Sequence, residues 1–193
     1  QTFQMADSIK GLTIIPNYIT EEDEQQLIEI INAQEWDTTI KRATQHYGYY
    51  YNYKSSRLDK RDKSVPPVPE WIDPYVKKLQ SDGHIDVPPD QIIVNRYLPG
   101  EGITPHIDNT LFKNKIYSLS LGSGCIINFE NNRIMDKHQI YLKARSLLIM
   151  EDDARYKYQH SIAKVKKDIV KDSTGKPMLI NRNTRYSITF RNV

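Results

Sequence analysis

His106 and Asp108 stand two residues apart, His160 follows much later, and Arg185 and Arg191 close the chain within the string RYSITFRNV. Two imidazoles and one carboxylate form a facial triad, a ligand set that holds Fe(II) on one side and leaves the opposite positions open. In an extended strand, residues i and i+2 point to one face, so a single short strand can offer His106 and Asp108 to the same ion. The even spacing of Arg185 and Arg191 likewise puts both guanidinium groups on one face. Guanidinium binds carboxylate through two parallel hydrogen bonds, so the pair suits a dicarboxylate. Asn95 and Tyr97 share a strand face upstream and add an amide and a phenol to the same acid. Taken singly, each signal has a plainer reading: a surface histidine near an acid, or a terminal strand whose arginines meet water.

These residues need a scaffold that converges. After Gln91 the chain reads as short strands divided by turn signals: IIVNRYL, ITPHID, IYSLSLG, CIINFE, HQIYL, RSLLIM, YQHSIA and RYSITFR. Such spacing favours a sandwich or barrel. Before it, Gly11–Ile15 reads as a strand. Thr20 followed by Glu21, Glu22 and Asp23 starts a helix whose stripe is Leu27, Ile28, Ile30 and Ile31. Pro69 opens a second helix with Trp71, Ile72, Tyr75, Val76 and Leu79 on one face. The expected fold is mostly β within an α+β plan: a jelly-roll core over 91–193, N-terminal helices, and a β-hairpin lid over about 36–64. One domain spanning 1–193 is expected. Lys164–Asn183 reads as a long exposed insertion before the last strand.

The formal charge is only +3, so bulk charge says nothing about nucleic acid. Its distribution says more. Between Ile40 and Ser64 lie seven Lys or Arg against Asp59 and Asp62, interleaved with tyrosine, which suits a phosphate-contacting surface. Tyrosine is abundant, 13 against 4 Phe and 2 Trp, and combines an apolar ring with a hydroxyl. Cys125 has no internal partner, which points to a reducing, intracellular compartment, cytoplasmic or nuclear. No run of about 18 apolar residues occurs, so no membrane span is expected. The opening QTFQMADSIK lacks the apolar stretch of a secretory leader; it starts on Gln, so missing upstream residues or a natural start at Met5 both fit. Of the remaining histidines, His84 and His138 read as surface residues and His46 as near a substrate.

The joint pattern resembles the AlkB family of Fe(II)/2-oxoglutarate dioxygenases. The resemblance rests on Asn95-Arg96-Tyr97-Leu98-Pro99-Gly100-Glu101-Gly102-Ile103 running into His106-Ile107-Asp108, on SLSLG (Ser118–Gly122), on Arg155 to His160, and on the terminal R-x5-R. It covers roughly Ile14 to Val193. It implies a double-stranded β-helix, Fe(II) on His106, Asp108 and His160, and 2-oxoglutarate held by Asn95, Tyr97, Arg185 and Arg191, with Arg185 on the distal carboxylate. Dioxygen is the implied cosubstrate. The segment Tyr47-Gly48-Tyr49-Tyr50-Tyr51-Asn52-Tyr53 is similar to the family's nucleotide-recognition lid. Substrate contacts are thus expected from Arg42, Tyr49, Tyr51, Tyr53, Thr110, Arg155 and Ser187.

Two departures refine the resemblance. Thr110 stands where repair members carry an acid, and Ser187 stands where they often carry Asn. With RSLLIM and DARYKYQH, these look more like the branch that hydroxylates modified wobble uridine in tRNA. The implied reaction is demethylation or hydroxylation of a base in nucleic acid, RNA favoured over DNA. The base would be single-stranded or flipped to reach the metal, and a monomer is expected. Two other functions fit the same residues: the same chemistry on a protein side chain or small molecule, and a catalytically silent β-helix used as a binding module.

Overall fold

Alternation along the last strand sets the architecture. Tyr186, Ile188 and Phe190 are buried on one face, while Arg185, Ser187, Thr189 and Arg191 line a cavity on the other. The computed structural model describes residues 8–52, 54–55, 57–59 and 65–193, with the main chain alone at 50, 51, 58 and 59. In chain order the first elements are β1 (Leu12–Ile15), α1 (Glu21–Asn32), β2 (Ala43–Tyr47), β3 (Tyr50–Asn52), β4 (Arg57–Asp59) and α2 (Asp73–Ser81). Next come β5 (Gln91–Tyr97), β6 (Ile103–His106), β7 (Ile116–Leu121), β8 (Cys125–Asn131), β9 (Asp136–Leu142) and β10 (Leu147–Met150). The last are α3 (Asp152–Tyr156), β11 (Gln159–Ile162), β12 (Lys167–Lys171), β13 (Pro177–Asn181) and β14 (Arg185–Arg191).

A major sheet runs in the order β1-β10-β7-β14-β5-β2, and a second runs β6-β11-β8-β9, with antiparallel pairing in both. The outer face of the major sheet is apolar: Ile92 and Val94 of β5, Tyr117, Leu119 and Leu121 of β7, Leu147 and Ile149 of β10. It is covered by Leu27 and Ile31 of α1 and by Tyr75, Val76 and Leu79 of α2. Helix α1 starts where the sequence places it, because Thr20 and Asp23 satisfy each other's backbone N–H groups in a reciprocal cap. A second core, including Ile116, Phe129, Ile140 and Leu148, fills the space between the sheets. The jelly roll therefore opens at one end into the cavity that β14 lines.

Three expectations change. The core does not come from 91–193 alone, since β1 and β2 supply both edge strands of the major sheet. The 36–64 segment divides, β2 joining that sheet while β3 and β4 pair with each other as the hairpin. The Lys164–Asn183 insertion is exposed but ordered as the hairpin β12–β13. Its base is held by Arg182, whose Nε and Nη2 donate to Asp168 at 2.7 Å each and whose Nη1 donates to the Ala163 carbonyl at 2.7 Å. Ion pairs this buried are not visible in a polar sequence run.

Candidate active site

β6 and β11 are antiparallel neighbours with His106 opposite His160, so cross-strand pairing brings the two imidazoles together with ring centroids 4.3 Å apart. Asp108 arrives differently from expectation. β6 ends at His106, so strand alternation does not place the carboxylate. The loop after β6 does, and Arg155 fixes that loop: its Nη1 donates to the Asp108 carbonyl at 2.9 Å, and its Nη2 to the carbonyls of Asn109 at 2.8 Å and Phe112 at 3.3 Å. Asp108 Oδ1 then lies 3.3 Å from His106 Nε2 and 3.5 Å from His160 Nε2, and the three ligand atoms all fall within 4.8 Å of one another. A cluster this compact is suited to share one ion.

The protonation states suit a metal. His106 Nδ1 lies 2.8 Å from the Thr104 carbonyl oxygen. A carbonyl only accepts, so Nδ1 carries the proton and Nε2 presents its lone pair to the triad. Burial pushes His160 down to about 4, against the opposing pull of Asp108, and so keeps it neutral. Burial alone would raise Asp108, but the Arg191 guanidinium beside it outweighs that and holds the carboxyl well below the usual carboxylate range.

The two arginines have different surroundings. Arg191 Nη1 sits 2.9 Å from Asp108 Oδ2 and its Nε donates to Gln91 Oε1 at 3.0 Å, placing it beside the triad. Arg185 is 5% exposed, donates from Nη2 to Ser120 Oγ at 2.9 Å and lies over the Tyr97 ring. Its Nε is buried without a hydrogen-bond partner, and among the described residues no carboxylate pairs with it. A buried guanidinium left in this state is costly unless an anion joins it. Both arginines, Asn95, Tyr97 and the triad line one cavity of about 570 Å³. The donor set and this uncompensated charge fit an Fe(II) ion and a dicarboxylate.

The expected substrate residues scatter. Arg42 lines the cavity, and its Nε donates to Asn95 Oδ1 at 2.7 Å. Ser187 lies on the cavity floor rather than its mouth, opposite Asn95 and Ser120 in register and 3.0 Å from Ser118 Oγ. Arg155 is 2% exposed and occupied with carbonyls, so it braces the metal loop instead of meeting substrate. Thr110 is exposed and outside the cavity lining. Tyr49 is half-buried and also outside it; only the main chain of Tyr51 is described, in β3, and Tyr53 lies outside the described residues. His46 is buried on β2, 3.1 Å from Thr44 Oγ1, and borders a separate cavity of about 470 Å³ with Trp36 and Tyr47. His138 is not a free surface residue: its Nε2 lies 2.8 Å from Asp136.

Sequence reasoning missed Gln91, Ser118 and Ser120. The serines carried a signal, since Ser118 and Ser120 alternate with apolar residues in a strand that is buried on both faces. Polar residues on one face of such a strand need partners inside the fold.

Residues 11–191 match the 2OG-Fe(II) oxygenase superfamily. The chain is 42% identical over 192 residues to an uncharacterized protein, L905, of Acanthamoeba polyphaga mimivirus, covering 97% of this chain and 87% of that one. It is 36% identical over 203 residues to the tRNA (carboxymethyluridine(34)-5-O)-methyltransferase ALKBH8 of Mus musculus, covering 95% of this chain and 30% of the mouse protein. The chain belongs to the AlkB family of 2OG-Fe(II) oxygenases. It is thus a 2-oxoglutarate-dependent dioxygenase, similar to the ALKBH8 proteins within that family, and it spans about a third of the mouse relative's length. The solved structure of OsALKBH1 shares the jelly-roll fold, with a TM-score of 0.68, 15% identity, and 95% and 97% of the two chains covered. No helix among the described residues is long and apolar enough to cross a membrane.

Proposed function

We propose that this AlkB-family oxygenase hydroxylates an alkyl group or a modified base in nucleic acid, with RNA, and tRNA in particular, favoured over DNA. The observation that carries the reading is one cavity holding a His-Asp-His triad and a buried arginine that lacks a counter-anion among the described residues. Curated relatives named for tRNA modification support the choice of substrate.

In this reading His106, Asp108 and His160 hold Fe(II). Arg185 takes the distal carboxylate of 2-oxoglutarate, with Asn95 and Tyr97 donating along its length. When bound, iron, 2-oxoglutarate and dioxygen supply the oxidising equivalent that inserts oxygen into a C–H bond. The protein's share is positioning and containment. Arg191 keeps Asp108 ionised and oriented, and the carbonyl of Thr104 keeps His106 Nε2 free. Arg155 stops the 108–112 loop from drifting. The apolar wall, Ile93, Ile116, Leu148 and Met150, excludes water around the acid.

Incubation with Fe(II), 2-oxoglutarate and either methylated single-stranded oligonucleotides or tRNA bearing modified wobble uridine is expected to give a mass shift of one methylene lost or one oxygen gained. The Asp108→Ala protein should give none. Succinate formation by the wild-type protein with no mass change across the whole panel would move the substrate to a protein side chain or small molecule.

A further inference from the structure

A smaller groove, of about 160 Å³, opens off the active-site cavity and shares Ile40, Arg42, Ile103 and Thr104 with it. Its other walls are Lys41, the Gly100–Gly102 turn, and Lys164. Two chain segments meet there and are locked together. Gly100 has a φ of +91°, and its N–H donates to the Val165 carbonyl at 3.2 Å. A Cβ at Gly102 would fall 2.1 Å from the Ile162 carbonyl oxygen, so only glycine permits the approach. This packing holds Lys164 at the rim and lays the Lys166 side chain alongside Gly100. Lys41, Lys164 and Lys166 are exposed, and no ion pair within 4 Å engages them among the described residues. The one acid of the groove, Glu101, is occupied with the backbone N–H of Leu98 at 2.9 Å.

The rim thus carries a surplus of cations a few residues from the candidate metal ligands, beside a cavity of about 570 Å³. A base that reaches the triad leaves its flanking phosphates outside that mouth. Resting on the reading of this protein as a nucleic-acid oxygenase, we propose that Lys41, Lys164 and Lys166 bind the backbone phosphates beside the target base, so the single strand enters across the Gly100–Gly102 turn. The site reads backbone charge and not sequence. Ribose and deoxyribose strands share that chemistry.

The test is the salt dependence of binding to labelled oligo-U and oligo-dT. Each phosphate contact on a single strand contributes about −0.7 to the slope of log K against log salt. The triple variant Lys41→Gln, Lys164→Gln, Lys166→Gln is expected to flatten the slope by about 2. The triple Arg variant should keep it, and a melt of each variant reports on folding. Lys137→Gln with Lys143→Gln, at the β9 edge far along the second sheet from β6, should leave the slope unchanged. Wild-type activity on oligonucleotides with an unaltered slope in the Gln triple variant would overturn the groove assignment alone. Wild-type protein that neither binds nor modifies any oligonucleotide, or that captures an acidic peptide through these lysines instead, would overturn the nucleic-acid reading and the groove with it.

Discussion

Arg185 holds the least compensated charge in the cavity, and its consequences are measurable. A ligand present at a hundredfold excess over Kd adds about 2.7 kcal/mol of stability, which for a chain of this size is a rise in Tm of roughly 5–10 °C. Adding 2-oxoglutarate with Mn(II) to the wild-type protein is expected to give such a rise. Arg185→Met should cut it back to the rise given by Mn(II) alone, while leaving the Tm of the ligand-free protein equal or higher, because an unpaired buried charge has gone. A ligand-induced rise of the same size in both proteins would remove Arg185 from the dicarboxylate site. Arg155 makes the opposite kind of contribution. Arg155→Lys keeps the charge but cannot span three carbonyls, so metal affinity should fall ~10–100-fold in anaerobic titrations. At this scale the sequence exposed the candidate ligands, because two imidazoles, a carboxylate and paired arginines are chemically conspicuous, and the structure brings them to one cavity. It concealed how Asp108 is held. The brace comes from Arg155, a residue 47 positions away acting on main-chain oxygens, and backbone acceptors leave no trace in residue type.

Elements differ in how firmly they are attached. The hairpin β12–β13 exposes Ile169 and Leu179 and is secured at its base by the buried Arg182–Asp168 pair. Breaking a buried pair by removing one partner costs about 3–5 kcal/mol. For Arg182→Ala, hydrogen exchange is expected to show lost protection across Lys167–Asn181, with β7 and β14 still protected. Uniform loss throughout the molecule would mean the hairpin is integral to the core. Helix α1 belongs to that core: Leu27→Ala is expected to cost about 2–5 kcal/mol, read as a lower urea midpoint at unchanged m. Element identity was legible wherever pattern was strong. Of the expected stripe Leu27, Ile28, Ile30 and Ile31, Leu27 and Ile31 are buried and Ile28 and Ile30 half-buried, and the alternation of RYSITFR leads to the observed burial of Tyr186, Ile188 and Phe190. The hairpin was not legible, because a turn on Asp172 and one internal ion pair order a segment whose side chains are mostly exposed.

Across the whole molecule, β2 and β1 close the edges of a sheet whose other strands all come from residue 91 onward. Hydrophobic patterning separates strands from helices but does not state strand order, so this closure could not be read in advance. It buries His46, and burial, aided by Arg191 and Arg42 and opposed by Asp37, lowers its pKa to about 4. The unfolded chain protonates this imidazole near pH 6.5 and the folded one only near pH 4. Its stabilising share is full above the first value and disappears as pH falls through the second, up to ~3 kcal/mol. Urea midpoints at pH 7 and pH 4.5 should therefore differ less in His46→Gln than in the wild type; an equal difference would put the acid sensitivity elsewhere. In the proposed reading, residues far apart in the chain converge to hold one ion and one diacid. A crystal grown with Mn(II) and 2-oxoglutarate, read by anomalous scattering, tests it most directly. The expected result is a single Mn peak bonded to His106 Nε2, Asp108 and His160 Nε2, with a carboxylate seated against Arg185. A metal bound elsewhere, or a diacid away from Arg185, would contradict it.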